Sequence, residues 1–190
     1  MRPLKKLYQA VFATLVIAVL MTATTLNVFG APRSADREAE ENNNRDFSAT
    51  LSGFNETPQT IFSSGTGTFT ATLSDDGTSL TYTLSYTGLI GAVQAHIHLG
   101  APATSGGVAA FLCGGGGKPS CPTSSGTVTG TITAADVLAS AGPFASQGLA
   151  ANNFAGLLAS IRAGATYVNV HTFPAHPGGE IRGAITSDEE

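Results

Sequence analysis

The stretch Phe69-Thr70-Ala71-Thr72-Leu73-Ser74-Asp75-Asp76-Gly77-Thr78-Ser79-Leu80-Thr81-Tyr82-Thr83-Leu84-Ser85-Tyr86 decides the fold. Phe69, Ala71 and Leu73 occupy one phase of a two-residue period and Thr70 and Thr72 the other. The pattern resumes at Leu80, Tyr82, Leu84 and Tyr86. Side chains alternate across an extended strand, so each run has one apolar face and one hydroxyl face. Between the runs, Asp76-Gly77 supplies the positive φ that a tight hairpin demands.

The same alternation recurs at Phe47/Ala49/Leu51 and at Val128/Gly130/Ile132. Apolar segments from Ala92 to Leu99 and from Val108 to Cys113 continue the sheet, and the pairs Thr166 to Thr172 and Gly179 to Thr186 close it. Only 12% of residues are charged, so Thr and Ser must cover the exposed faces. About eight short strands with mainly local connections predict a single all-β domain over residues 46–187, a Greek-key-like sandwich or barrel. One or two short helices are expected within it. Thr133 to Asp136 has capping-box form, and Asn152 or Asn153 could cap a helix carrying Phe154, Leu157, Leu158 and Ile161 on one stripe, ended by Gly164. That stripe reads as core packing.

A chain of 190 residues suits one domain with accessory segments. Residues 1–30 begin with Arg2, Lys5 and Lys6, continue through the apolar run Ala10 to Met21 and end on Gly30, the layout of a cleaved signal peptide. The competing reading is an uncleaved membrane anchor over Leu7 to Phe29, whose second half is weakened by Thr22, Thr24, Thr25 and Asn27. Residues 31–45 are a polar segment too poor in apolar groups to order themselves, expected to be a disordered linker, and residues 188–190 form an acidic tail. Removing Arg2, Lys5 and Lys6 from nine basic residues leaves six against 13 acidic ones, which argues against nucleic acid as a partner. The address read from this is secreted or periplasmic, with membrane contact only if the N-terminal segment stays uncleaved.

Cys113 and Cys121 flank a Gly-rich loop, Gly114-Gly115-Gly116-Gly117-Lys118-Pro119-Ser120. In an oxidising compartment they are expected to pair, a closure worth roughly 2.5 kcal/mol on the chain-entropy model. The alternative is a soft metal site on both sulfurs.

All four histidines fall in two clusters, His96 and His98 in Gln94-Ala95-His96-Ile97-His98, and His171 and His176 in Tyr167-Val168-Asn169-Val170-His171-Thr172-Phe173-Pro174-Ala175-His176. Strand parity sends Gln94, His96 and His98 one way and Ala95 and Ile97 the other. The same count sets Tyr167, Asn169 and His171 against Val168 and Val170, and Glu180 and Arg182 against Ile181. If the three strands are neighbours, their polar faces make one patch. His-x-His on a strand face spaces two imidazoles by roughly 7 Å at Cα, within reach of a common ion. With His171, and with His176 from the loop, three or four nitrogen donors suit copper, zinc or nickel better than calcium or magnesium. Glu180 and Asn169 are expected to orient the imidazoles. The bland alternative is a hydrogen-bonded histidine network around an Arg182–Glu180 pair.

Gln94-Ala95-His96-Ile97-His98-Leu99-Gly100-Ala101-Pro102, Tyr167-Val168-Asn169-Val170-His171-Thr172 and Pro177-Gly178-Gly179-Glu180-Ile181-Arg182-Gly183 together resemble the CHRD domain of chordin and of many secreted bacterial proteins. Leu51-Ser52-Gly53-Phe54-Asn55-Glu56-Thr57-Pro58 is similar to that domain's usual opening. The resemblance implies an extracellular, immunoglobulin-like or barrel-like β module with no settled enzymatic activity. His176 and the Cys113–Cys121 insertion lie outside the shared pattern. At motif level alone, the strand-borne His-x-His is also similar to the copper strand of copper/zinc superoxide dismutases.

Three functions follow. The first is a secreted binding module holding copper or zinc on the histidines. The second is a metal-free adhesion module for an extracellular protein or polysaccharide. The third is a superoxide-dismutase-like copper redox enzyme in which Arg182 guides an anion to the metal. No serine sits in a nucleophile-elbow context and no carboxylate pair suits glycoside hydrolysis, so the balance leans away from an enzyme.

Overall fold

The computed structural model describes residues 45–187. The expected signal peptide, nearly all of the expected linker and the acidic tail lie outside the described residues.

Among the described residues the chain forms nine strands: β1 (Asp46–Ser52), β2 (Thr66–Leu73), β3 (Leu80–Thr87), β4 (Ala92–Leu99), β5 (Gly107–Cys113), β6 (Gly126–Ile132), β7 (Thr166–Thr172), β8 (Ile181–Ala184) and β9 (Thr186–Ser187). An α-helix, α1 (Phe154–Arg162), precedes β7. The sheet runs in the order β5-β4-β7-β8-β1-β2-β3-β6, and β9 pairs with β1. Every pairing is antiparallel. β1, β2 and β3 form a meander, whereas β4 leaves β3 to pair with β5 and β7. This break in local order gives the sheet its Greek-key character.

The sheet curls until its two edges meet. Tyr82 Oη on β3 donates to the Leu112 carbonyl on β5 at 2.6 Å. The Cys113–Cys121 disulfide ties the end of β5 to the segment leading into β6. The result is a nearly closed barrel, which removes exposed strand edges. Inside it lie the parity residues read from sequence, among them Phe47, Leu51, Phe69, Leu80, Tyr82, Leu84, Ile97, Val168, Val170 and Ile181, all buried.

Gly77 at φ 70° turns the β2–β3 hairpin, and Asp76 Oδ1 accepts from Ser74 Oγ, Thr78 N and Thr78 Oγ1. Between β6 and α1, Ala134–Asp136 is a single 3₁₀ turn held by the Thr133/Asp136 capping box. A second 3₁₀ segment, Gly142–Gln147, has no sequence-based expectation behind it. Asn153 caps α1 by accepting from Gly156 N, and Phe154, Leu157, Leu158 and Ile161 face the core as expected. The final strand expected over Gly179 to Thr186 is divided at Ile185, whose N–H donates to the Thr166 carbonyl.

Candidate metal centre

β4 and β7 are neighbours, with His96 opposite Asn169, His98 opposite Tyr167, and Gln94 opposite His171. β8 adds Arg182 beside Asn169. The three polar faces therefore form one patch, as parity requires. They are not open to water: all seven residues of β7 are buried on both faces. Three segments lie over the outside of the barrel here. They are the chain after β1 carrying Glu56 and Thr57, the β4–β5 connection from Gly100 to Gly106, and the β7–β8 connection from Phe173 to Glu180. No alternation of polar and apolar residues reveals such a cover, because the covering loops have no period.

His96, His98 and His171 each offer one nitrogen, and the three nitrogens lie within 4.8 Å of one another. His96 Nδ1 is 3.1 Å from His171 Nε2. His171 Nδ1 is 3.1 Å from the Pro177 carbonyl, and His98 Nδ1 is 2.9 Å from the Gly106 carbonyl. A carbonyl can only accept, so both of those Nδ1 atoms carry the proton and both Nε2 atoms keep a lone pair. His171 Nε2 is then the acceptor for His96 Nδ1–H, and His96 Nε2 is also left with a lone pair. The Nε2 atoms of His96 and His98 are buried with no hydrogen-bond partner. Two unpaired buried acceptors beside a third are costly in an apolar setting, and an ion with vacant coordination positions would satisfy them together. The residues thus fit a nitrogen-ligated transition metal.

Burial holds all three imidazoles neutral. It pushes His96 down to about 3, with the neighbouring His171 and His98 adding to the effect. It pushes His98 down to about 4, partly opposed by the bond to Gly106. It lowers His171 in the same sense, opposed by Pro177. Neutral imidazole is the form that binds metal.

Aromatic packing fixes the ring planes. Tyr167 stacks on His98 at 4.8 Å with 4° between planes, and Phe111 stands edge-on to His96 at 4.5 Å. The Arg182 guanidinium lies 3.4 Å from the Tyr167 ring centroid. Its donors go to Thr57 Oγ1 and to the Thr104 and Ala101 carbonyls. At 3% exposure Arg182 is a buried clamp between covering loops, which is not the solvent-facing position an anion guide would take.

Neither residue expected to orient the imidazoles hydrogen-bonds one. Glu180 accepts from Ser63 Oγ and Thr172 Oγ1, both at 2.6 Å, and so ties β7 to the segment before β2; it makes no ion pair with Arg182. Asn169 Nδ2 reaches toward Glu56 Oε2 at 3.5 Å. The orienting partners are instead the Gly106 and Pro177 carbonyls, which no side-chain pattern could disclose. His176 stands apart from the three-histidine group: its backbone pairs with Thr172, and it lines a cavity together with Glu56. Cys113 and Cys121 are joined in the disulfide, so their sulfurs are not metal ligands.

Sequence reasoning passed over Glu56 as a site residue. It is 6% exposed, and burial raises its carboxyl to about 7 against the lowering effects of the Thr57 backbone and Arg182. The available signal was its place in the quoted opening Leu51 to Pro58.

A search of curated proteins returned no match. A scan of family profiles matches the CHRD domain over residues 47–185, from the second residue of β1 to the residue before β9. That match covers nearly three quarters of the sequence and contains the whole histidine centre, so the chain belongs to the CHRD domain family.

Proposed function

We propose that this protein is an exported CHRD-domain binding module that holds one copper or zinc ion on His96, His98 and His171. The observation that carries the reading is the convergence of three buried imidazole nitrogens within 4.8 Å, two of the rings having an Nε2 atom with no other partner. Three neutral imidazoles leave a fourth position for water or another ligand. Export is supported by the charged and apolar start of the sequence and by the disulfide, which suits an oxidising, non-cytosolic compartment.

Protein purified without a histidine tag from an oxidising compartment should carry copper or zinc in a one-to-one ratio. Calorimetric titration of the metal-free form should give a dissociation constant far below millimolar. Binding no tighter than about millimolar, or equal binding by the His96/His98/His171 triple-Ala protein, would sink the reading.

A metal-free interaction module is the second reading, favoured by Phe54, Phe62, Ile90 and Phe173, all more than 60% exposed, with Phe54 and Phe62 in edge-to-face contact. Under that reading the triple-Ala protein keeps its partner and the Phe54/Phe62 double-Ala protein loses it.

A further inference from the structure

A cavity of about 170 Å³ opens beside the histidine centre. Its lining includes Glu56, Thr57, Pro58, Ile61, His176 and Gly178. Gly178 follows Pro177, whose carbonyl holds His171, so the cavity and the centre share one loop but use different side chains.

Two buried acceptors at the cavity lack a donor, although the second Glu56 oxygen is approached by Asn169 Nδ2 and Gln59 also lines the cavity. Glu56 is buried and its Oε1 has no hydrogen-bond partner, and the same is true of Asn169 Oδ1 behind it. Gly179 lies so close to both side chains that a Cβ there would stand 2.3 Å from Asn169 Nδ2, 2.6 Å from Asn169 Oδ1 and 2.7 Å from Glu56 Oε1. Arg182, the nearby cation, gives its hydrogen bonds to Thr57, Thr104 and Ala101 and none to Glu56. Buried carboxyl oxygens in this condition call for a donor, and a cationic donor offsets the most burial cost. Pro58 and Ile61 add apolar wall, which suits a methylene stem.

We infer that this cavity binds a primary alkylammonium group, the end of a lysine side chain or of a small free amine, with Glu56 Oε1 accepting from the ammonium. An ammonium has three donors and no acceptor, so it can satisfy Glu56 Oε1, which a carboxylate or phosphate, having only acceptors and like charge, cannot. Burial raises the affinity of Glu56 for its proton, a shift that a neighbouring ammonium would offset.

The test uses the full chain stripped of metal with a chelator, so that its outcome does not depend on the histidine centre. Amide resonances are followed while n-butylamine, n-butanol, butyrate and a blocked lysine (Nα-acetyl-lysine N-methylamide) are added separately. The expected result is saturable movement of Glu56, Gly178 and Gly179 by n-butylamine, about tenfold tighter than by n-butanol, and none by butyrate. Glu56→Gln keeps the shape and should weaken the amine by about tenfold or more. Gly178→Val adds bulk at a lining residue and is sterically tolerated, because a Cβ at that position meets nothing within 4 Å, and should weaken binding. Response to the blocked lysine as strong as to n-butylamine identifies a peptide side chain as the source; response to n-butylamine alone identifies a free amine. Equal responses to amine and alcohol, or amine binding unchanged in Glu56→Gln or in a folded Gly178→Val protein, overturn the inference.

Discussion

His96 Nδ1 and His171 Nε2 face each other at 3.1 Å across β4 and β7, although 75 residues separate them in sequence. The contact is between two neutral rings, and the Pro177 carbonyl decides which of them donates. A metal ion must take the His171 Nε2 lone pair away from His96, so the two states differ by a definable set of protons.

In metal-free protein at neutral pH, His98 and His171 should therefore both be Nδ1–H tautomers, with pyridine-type Nε2 nitrogens. Nitrogen-15 spectra of the imidazole rings read this directly. Adding one equivalent of zinc should move the Nε2 resonances of His98 and His171 and leave their Nδ1–H bonds to Gly106 and Pro177 intact. His96→Ala, His98→Ala or His171→Ala should each weaken zinc by orders of magnitude, while His176→Ala changes it little. Nε2–H on either His98 or His171 in the metal-free state would contradict the assignment.

Acid should destabilise the metal-free domain in two stages. His96 and His98 have folded-state pKa values of about 3 and about 4 against 6.5 in the unfolded chain, and His171 is also lowered. Their contribution is complete above 6.5 and is lost as pH falls through the folded values. Each removes about 1.4 kcal/mol per pH unit inside its window. Glu56 has the opposite sign: raised from 4.5 to about 7, it stabilises below 4.5 and that contribution is lost as pH rises through 7. Between 6.5 and 4.5 it offsets one histidine, so denaturant midpoints should fall less steeply there than just below 4.5, where His96 and His98 titrate without that offset. Glu56→Gln should remove the offset and steepen the upper stage. Urea unfolding at pH 6.5, 5.5, 4.5 and 4 measures both slopes.

Reduction of Cys113–Cys121 should cost roughly 2.5 kcal/mol without unfolding the barrel. The bridge closes a short loop, and Tyr82 Oη to Leu112 O and the β4–β5 ladder hold the same seam independently. Thermal melts of Cys113→Ser/Cys121→Ser protein should show a lower midpoint and an unchanged far-ultraviolet spectrum. Free-thiol counting on non-reduced wild-type protein should find none.

The strands were legible because their information is local. β4 and β7 begin and end where the apolar runs do, and Phe47, Leu51, Phe69 and Leu84 face inward by parity alone. His96, His98 and His171 were legible for the same reason, since pairing β4 with β7 needs only parity and the neighbourhood of the strands. What lay beyond reach came from loops folding back on the sheet. The Gly106 and Pro177 carbonyls orient the rings with atoms every residue possesses, and Gly106 can do so because a Cβ there would meet Leu99 O at 1.7 Å. Glu180 was legible as a polar-face residue and not as a partner of Ser63, because that hydrogen bond spans 117 residues and follows no strand pairing. The pairing of His176 with Glu56 around a cavity depends likewise on two loops meeting in space.

Arg182 should prove the residue on which closure of the site depends. Its guanidinium reaches the segment after β1 through Thr57 and the β4–β5 connection through Thr104 and Ala101, and its plane covers Tyr167, which in turn stacks on His98. Lysine keeps the charge but has no planar fork, so it cannot bridge two loops while lying flat on a ring. Arg182→Lys should cost about 1–3 kcal/mol and Arg182→Ala more, because alanine also leaves the Thr104 carbonyl without its donor. A merely structural role would lower the melting temperature and leave the metal alone. A clamp over the centre predicts something further: zinc escape into excess chelator should speed up about tenfold or more in Arg182→Lys at temperatures where the variant is fully folded, and the Tyr167 and His98 ring resonances should broaden together. Escape at the wild-type rate from folded Arg182→Lys protein would mean that the loops, and not the guanidinium, keep the site closed.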